Sequence, residues 1–316
     1  MARPITVSCV SAPRLPLDRS ISIDRAIEFE VAHWQDRIET VLPHTPDLIV
    51  LPEAADRPEP DTFGRERIMN YIEARGSVVR DSLARIAQEN KCNIAYSAQW
   101  IDGDVRVNRT QYIDRGGAIA GCYDKNHLVI DEHDENRLDY GTETGIVDLD
   151  FGRVGTAICF DLNFDELRRR YEGTGVELMV FNSEYHGGLM QNYWAYSLRA
   201  YFAGAIRPPA PSAILSPQGE ILAETTNYFS EVTADINLDY VLVHLDGHWE
   251  KLAAMQAKYR DGVRVHDPGR LGSVMVTAVD HGLTAASLCA EFELERLDDY
   301  LDRSRAHRAE TITNNG

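Results

Sequence analysis

Mixed β-sheets covered by helices, an α/β class, are what this chain predicts, on three observations. Helical periodicities alternate with short apolar strand-like runs, and several strand pairs are joined as hairpins around glycine turns. A content of 44% hydrophobic and 26% charged residues over 316 positions suits a large globular core.

Each element follows from its pattern. ITVSCVSA (Ile5 to Ala12) alternates and is rich in β-branched residues, and a periodic segment from about Ile23 to Leu42 reads as an amphipathic helix. DLIVLPE (Asp47 to Glu53) is a continuous apolar run stopped by Pro-Glu, the mark of a strand buried on both faces. A helical pattern covers about Arg65 to Glu89, and NIAYSAQW (Asn93 to Trp100) is again a strand. Val105 to Asp124 alternates, with Gly116-Gly117 as a hairpin turn, and a polar stretch from Asp131 to Thr144 follows. GIVDLDFGRVGTAICFD holds two strands separated by Phe151-Gly152-Arg153, the second ending near Cys159. Asp165 is a helix cap, and Gly173 and Gly175 end that helix. ELMVFNS (Glu177 to Ser183) is a buried strand, Tyr193 to Ala205 a helix, and SAILSPQGEILAET (Ser212 to Thr225) a hairpin around Gln218-Gly219. EVTADINLDY (Glu231 to Tyr240), a helix near Trp249 to Tyr259, the strand GSVMVTAV (Gly272 to Val279) and a terminal helix opened by Thr284 complete the order.

Composition narrows the function. The net charge of -18 and pI near 4.9 argue against nucleic acid and anionic membranes as partners, since both require a cationic surface that releases counterions. No stretch is long and apolar enough to cross a bilayer, and the N-terminus lacks the cationic-then-apolar pattern of a secretory signal, so the expectation is a cytoplasmic protein. Cys9, Cys92, Cys122, Cys159 and Cys289 are odd in number and scattered without C-x-x-C spacing, which predicts neither a disulfide framework nor a zinc site. Each is by default a buried small hydrophobe. The Asn108-Arg109-Thr110 sequon means little without a secretory signal. Phosphate-binding glycine loops, the G-x-S-x-G elbow and H-E-x-x-H are absent from the sequence, and Gly247 between His244 and His248 spoils a helical metal pair.

Three polar residues stand at the ends of separate strand-like runs: Glu53 after DLIVLP, Lys125 after AIAGCYD and Cys159 after GTAI. Alone, each has an ordinary explanation as a solvated carboxylate, a surface charge or a core thiol. Together they supply what a thiol attacking a carbonyl or nitrile carbon needs, namely a base for its proton and a cation for the anion that forms.

DLIVLPEAA, YDKNHL and GTAICFDLNF match, in order, the three motifs around the Glu-Lys-Cys triad of the nitrilase superfamily of carbon-nitrogen hydrolases, and the chain resembles that family from about Ile5 to Asn237. The resemblance implies a four-layer α-β-β-α sandwich, with Cys159 as nucleophile, Glu53 as general base and Lys125 as oxyanion partner beside the backbone N–H of Phe160. It implies no metal or organic cofactor. A second glutamate between Lys and Cys is common in the family; Glu135, six residues before Gly141, is the better match and Glu132 the competitor. Where relatives place an apolar group after the strand ELMVFN, this chain has Ser183-Glu184-Tyr185-His186, so Glu184, Tyr185 and His186 are expected to line the pocket for a polar substrate.

The expected activity is hydrolysis of a non-peptide C–N bond in a small carboxamide or N-carbamoyl compound, releasing ammonia or an amine. A nitrile substrate is the alternative within the same chemistry, acyl transfer another, and a catalytically idle scaffold relative the alternative outside it. The resemblance also implies at least a homodimer, paired through Asp165 to Tyr171 and Tyr193 to Ala205. The hydrolase domain is expected over residues 1–245, with 246–316 a C-terminal extension packing on that domain or on a partner subunit. Its apolar stripe (Leu294, Leu297, Leu301) predicts a helix from about Glu293 onward.

Overall fold

The structure, a computed structural model, describes residues 2–314. Twelve strands form two six-stranded sheets. The first contains β1 (Pro4–Val10), β2 (Leu48–Val50), β3 (Asn93–Asp102), β4 (Val105–Ile113) and β5 (Ile119–Asp124). The second contains β6 (Val147–Leu149), β7 (Gly152–Ile158), β8 (Leu178–Ser183), β9 (Tyr201–Ile206), β10 (Ala213–Leu215) and β11 (Ile221–Glu224), after which β12 (Glu231–Asn237) returns to the first. Their orders are β12-β1-β2-β3-β4-β5 and β11-β10-β9-β8-β7-β6. In each sheet a central parallel trio, β1-β2-β3 or β7-β8-β9, passes into antiparallel hairpins, so both sheets are mixed.

Helices cover the outer faces because their apolar stripes match the strands' outward side chains. From α1 (Ile23–Glu39) and α4 (Val78–Asn90), Trp34, Ile38, Leu83 and Ala87 pack against Ile49, Ile94, Tyr96 and Ile113. From α6 (Asp165–Arg170) and α7 (Leu189–Leu198), Leu167, Trp194 and Ala195 pack against Ala157, Met179, Phe181 and Phe202. Each fully buried Leu, Ile, Met or Phe among them contributes about 1.5–3 kcal/mol. The inner faces meet through a few polar pairs: Tyr112 OH with Thr156 Oγ1 (2.6 Å), Thr110 Oγ1 donating to Asn182 Oδ1 (2.8 Å), and Asn182 Nδ2 donating to the Leu51 carbonyl (2.6 Å). The four layers expected from the family resemblance are therefore present.

The structure departs from the sequence reading at several points: Asp165, expected as a helix cap, is the first residue of α6 behind Phe164, and the strand expected over Glu231 to Tyr240 ends at Asn237 as β12. The helix expected over Arg65 to Glu89 is two helices, α3 (Ile68–Arg75) and α4, parted at Gly76, whose φ of +46° suits glycine. The helix expected over Tyr193 to Ala205 ends at Leu198; Arg199 takes φ +56°, and Tyr201–Ile206 become β9 in parallel register with β8. A short apolar run fits a buried helix or a buried strand equally well, and pairing decided it. Within the polar stretch lies a short helix, α5 (Ile130–Asp134).

The chain divides into two compact units, Thr6–Asp235 and the pair Met1–Ile5 with Ile236–Gly316. The boundary expected after Leu245 falls earlier because β13 (Tyr240–His244) belongs to a three-stranded sheet, β13-β15-β14, with β14 (Val263–His266) and β15 (Ser273–Ala278). That sheet carries α8 (Trp249–Tyr259) and α9 (Ala285–Glu291), the latter capped by Thr284 Oγ1 accepting from Ser287 N. The helix expected from about Glu293 begins later, as α10 (Leu297–Asn314): Leu297 is buried beside Leu242 and Met275 with Leu301 packed against them, while Leu294 lies ahead of the helix and joins the core of Leu252 and Leu288. Residues 315–316 of the extension lie outside the described residues. Among the described residues no helix is long and apolar enough to cross a membrane.

Candidate active site

Glu53, Lys125 and Cys159 leave the ends of β2, β5 and β7, and all three line one cavity of about 480 Å³. The chain turns sharply at two of them. Cys159 takes φ +48° at the start of a 3-10 turn and Ala54, just after Glu53, takes φ +43°. A left-handed non-glycine residue costs about 1–2 kcal/mol, and such strain persists only where the surroundings enforce it.

Asp161 is what enforces it at Cys159. Its fully buried carboxylate accepts hydrogen bonds from the Ile158 N–H (3.0 Å), the His127 N–H (2.7 Å) and the Tyr123 hydroxyl (2.7 Å). One side chain thus ties the turn of the nucleophile to both flanks of Lys125. The His127 ring stacks on Phe164 at 3.8 Å, beside the site rather than in it. Gly141 closes the other flank: its N–H donates to the Lys125 carbonyl at 2.8 Å, and a Cβ there would meet the Asp124 carbonyl oxygen at 2.1 Å. Only glycine fits.

Lys125 is 1% exposed and donates to two carboxylates, Glu53 Oε1 and Glu132 Oε2, each at 2.8 Å. The acidic residue that reaches Lys125 is therefore Glu132, not the favoured Glu135. Glu132 is the third residue of α5 and its Oε2 also accepts the Val129 N–H (2.9 Å), whereas Glu135 caps the other end of that helix and lines the cavity from an exposed position. Asn108, in the middle of β4, donates from Nδ2 to Glu53 Oε1 (2.7 Å) and Glu132 Oε1 (3.3 Å). Nothing in the strand's alternation pointed to that role.

The electrostatics follow from burial and contact. Burial pushes the Glu53 carboxyl up, but the charge and hydrogen bonds of Lys125, with those from Cys159 and Asn108, outweigh it and hold the group below its ordinary value. Burial pulls Lys125 down, and Glu53, Cys159 and Glu132 raise it beyond that loss. The Cys159 thiol is pushed well up, first by burial and then by Glu53, against the opposing effect of Lys125. At neutral pH these groups rest as carboxylate, ammonium and neutral thiol.

The other expected pocket residues part company. Glu184 lines the cavity, and its N–H approaches Glu53 Oε2 at 3.3 Å. Tyr185 and His186 do not line it: the Tyr185 hydroxyl reaches Asn163 Oδ1 (3.4 Å) at the surface, and His186 Nδ1 accepts from the Gly188 N–H (3.0 Å). The turn that positions Glu184 points its two neighbours outward. The Phe160 ring is half-buried and edge-on to Phe164. Three arginines that the sequence did not single out surround Glu184. Arg14, Arg57 (3.7 Å) and Arg207 (3.3 Å) all face Glu184 Oε1. Arg207 also donates to the carbonyls of Ala12 (3.0 Å), Glu53 (3.1 Å) and Ala54 (3.1 Å), clamping the backbone that carries Glu53. Of the other cysteines, Cys9, Cys92 and Cys289 are buried as expected, but Cys122 is exposed, because it lies on the edge strand β5 and alternates with the inward Tyr123.

A model of the carbon-nitrogen hydrolase family matches residues 24–242. Over 222 residues the chain is 25% identical to the omega-amidase NIT2 of Xenopus tropicalis, spanning 61% of this chain and 78% of that protein. Among solved structures, Nit3 of Saccharomyces cerevisiae, a member of branch 10 of the nitrilase superfamily, aligns with a TM-score of 0.60 and 20% identity over 85% of this chain and 97% of that one. A mutant of the amidase from Nesterenkonia sp. AN1, with acrylamide added at its active-site cysteine, aligns with a TM-score of 0.58 and 16% identity over 73% of this chain and 92% of that one. At such identities the solved structures speak for the fold.

Proposed function

The chain belongs to the carbon-nitrogen hydrolase family, and from that premise we propose that it hydrolyses the C–N bond of a small carboxamide or N-carbamoyl compound through a thioester on Cys159. The observation that carries this reading is one cavity lined by Cys159, Glu53 and Lys125, in which the Glu53 carboxylate accepts a hydrogen bond from the buried Lys125 ammonium. The omega-amidase relative supports the carboxamide branch.

Because the resting thiol is neutral, the base acts during attack. As Cys159 sulfur bonds to the carbonyl carbon, its proton passes to Glu53 and the carbonyl oxygen becomes an anion. Lys125 has three N–H donors, of which Glu53 and Glu132 engage two; the third serves that oxyanion. Collapse of the tetrahedral intermediate breaks the C–N bond, and the proton on Glu53 departs with the nitrogen. Water, giving a proton to Glu53, then attacks the thioester carbon. The C–S bond breaks, the thiolate recovers a proton and the acid leaves. Glu132 and Asn108 keep Lys125 and Glu53 in register through both halves.

Ammonia release from a panel of carboxamides, N-carbamoyl compounds and nitriles, with wild type and Cys159→Ala, tests this. The expected result is release from at least one of the first two classes and none above background in the Ala variant. Release from nitriles alone, or full turnover by Cys159→Ala, would overturn it.

A further inference from the structure

Base and nucleophile come from different sheets. Glu53 leaves β2 of the first and Cys159 leaves β7 of the second, so the distance between them depends on how the two inner faces register. Asn182 of β8 bridges the sheets beside both. It pairs in parallel register with Ile158, the residue before Cys159, and its Nδ2 donates to the carbonyl of Leu51 (2.6 Å), two residues before Glu53. Its Oδ1 accepts from Thr110 Oγ1 (2.8 Å) on β4. Thr110 stands two residues from Asn108 on the same strand face. Asn108 in turn holds Glu53 Oε1 through its Nδ2 (2.7 Å) and accepts the Lys125 N–H at its carbonyl (2.9 Å).

Asn182 and Thr110 are fully buried, and the direction of their hydrogen bonds is fixed. A carbonyl oxygen only accepts, so the amide nitrogen must face Leu51, which leaves Oδ1 for the Thr110 hydroxyl as donor. An apolar side chain supplies neither bond, and a carboxylate would set acceptor against acceptor at Leu51. Away from water such a pair holds one geometry, since loosening either bond leaves an unmet polar atom where it costs most. Packing does not call for an amide here. Leu178 to Phe181 of the same strand are all apolar, as burial on both faces requires, and the pattern breaks at Asn182 beside the site. Tyr112 and Thr156 make a further cross-sheet pair (2.6 Å), so the sheets stay joined when the Asn182 bonds are removed.

Resting on the hydrolase reading above, we propose that Asn182 is a positioning residue for catalysis: by tying the strand beside the nucleophile to the backbone that carries Glu53, it sets the distance over which protons pass from Cys159 to Glu53 and from Glu53 to the leaving nitrogen. A misplacement of about 1 Å in a reacting group can cost about 10²-fold in rate. Asn182 does not line the cavity, so its loss acts on the rate of reaction and not on substrate binding.

Two variants test this. Asn182→Leu keeps the branching at Cγ and removes both bonds; Thr110→Val removes one and spares the bond to Leu51. Each is compared with wild type on a carboxamide and on the p-nitrophenyl ester of the same acid, after urea unfolding has shown it to be folded under assay conditions. The amide needs its leaving nitrogen protonated by Glu53 and the nitrophenolate does not, so a displaced base slows the amide more. Asn182→Leu should lower kcat/KM for the amide by about 10- to 100-fold and for the ester by far less. Thr110→Val should show the same asymmetry at smaller size. Calorimetric binding of the amide to Cys159→Ala should not change when Asn182→Leu is added. Alkylation of Cys159 by iodoacetamide, followed by mass spectrometry, reads the thiol and its base without turnover and should slow in both variants. A purely structural role would lower amide and ester rates by one common factor. Such equal losses, an unchanged amide rate, or a loss matched by weaker binding, in either variant that folds, would overturn the inference and leave the hydrolase reading standing. If wild type cleaves no carboxamide, the hydrolase reading falls instead, and an alkylation rate that neither substitution changes would overturn the positioning role as well.

Discussion

Two clusters of charge, one buried around Lys125 and one partly exposed around Glu184, reach one cavity and are balanced in opposite ways. Around Lys125, one cation meets two carboxylates at 2.8 Å, with Asn108 filling the remaining contacts, so the charges hold one another in place. Around Glu184, three guanidiniums meet one carboxylate and one of them, Arg57, is left with open donors. The first cluster is complete without a ligand, as reacting groups held ready for the transition state should be. The second leaves the Arg57 Nε without an acceptor. Burial raises the stakes of both, since an uncompensated charge costs most where water is excluded.

The largest effect should come from breaking the compensated cluster one member at a time. Lys125→Met removes an oxyanion donor and should lower kcat by about 10²- to 10³-fold. Glu132→Gln leaves the ammonium in place but loosens it, and a loss of about tenfold in kcat is expected, in line with other groups that orient a reacting one. Glu135→Gln should cost less than Glu132→Gln. Steady-state kinetics on one amide substrate ranks the three; Glu135→Gln at the bottom of the activity order would return Glu135 to the position the sequence favoured.

A smaller effect sharpens the other side of the comparison. Glu30 lies on the buried stripe of α1, with Asp56, Arg207 and Arg14 as its charged neighbours. Unfolded, it loses its proton near 4.5; folded, it holds it up to about 8. Between these values unfolding releases a proton, so its contribution to stability is intact below about 4.5 and falls as pH rises through 8. Glu30→Gln should therefore match wild type in urea midpoint near pH 5 and exceed it by a few kcal/mol of unfolding free energy at pH 8.5. A difference that does not change with pH would show that Glu30 is ionised and already compensates the arginines.

How much of this was legible follows from where each residue gets its role. Glu53, Lys125 and Cys159 were readable because strand ends at a sheet edge are marked by a change from apolar run to polar residue, and their types fit one chemistry. Glu132 and Glu135 were not separable, since the choice depends on where a five-residue helix starts; once it begins at Ile130, Glu132 points back at its own N-terminus and at Lys125. Asn108 hid in a strand and in a sequon that meant nothing. Arg14, Arg57 and Arg207 come from three segments distant in sequence, each of which alone reads as an ordinary surface charge, and only the packing of the sheets brings them onto Glu184. Asp161 was quoted with the nucleophile motif, but its function as a tie between two loops needs the positions of Tyr123 and His127.

The central claim is a thioester on Cys159 common to every substrate with the same acyl group, and partitioning with hydroxylamine tests it most directly. A carboxamide and the corresponding p-nitrophenyl ester are supplied in turn, and the ratio of hydroxamate to free acid is measured at a fixed hydroxylamine concentration. One shared acyl-enzyme predicts the same ratio from both substrates, with both products lost in Cys159→Ala. Ratios that differ between amide and ester, or hydroxamate formed at the wild-type rate without Cys159, would contradict the account.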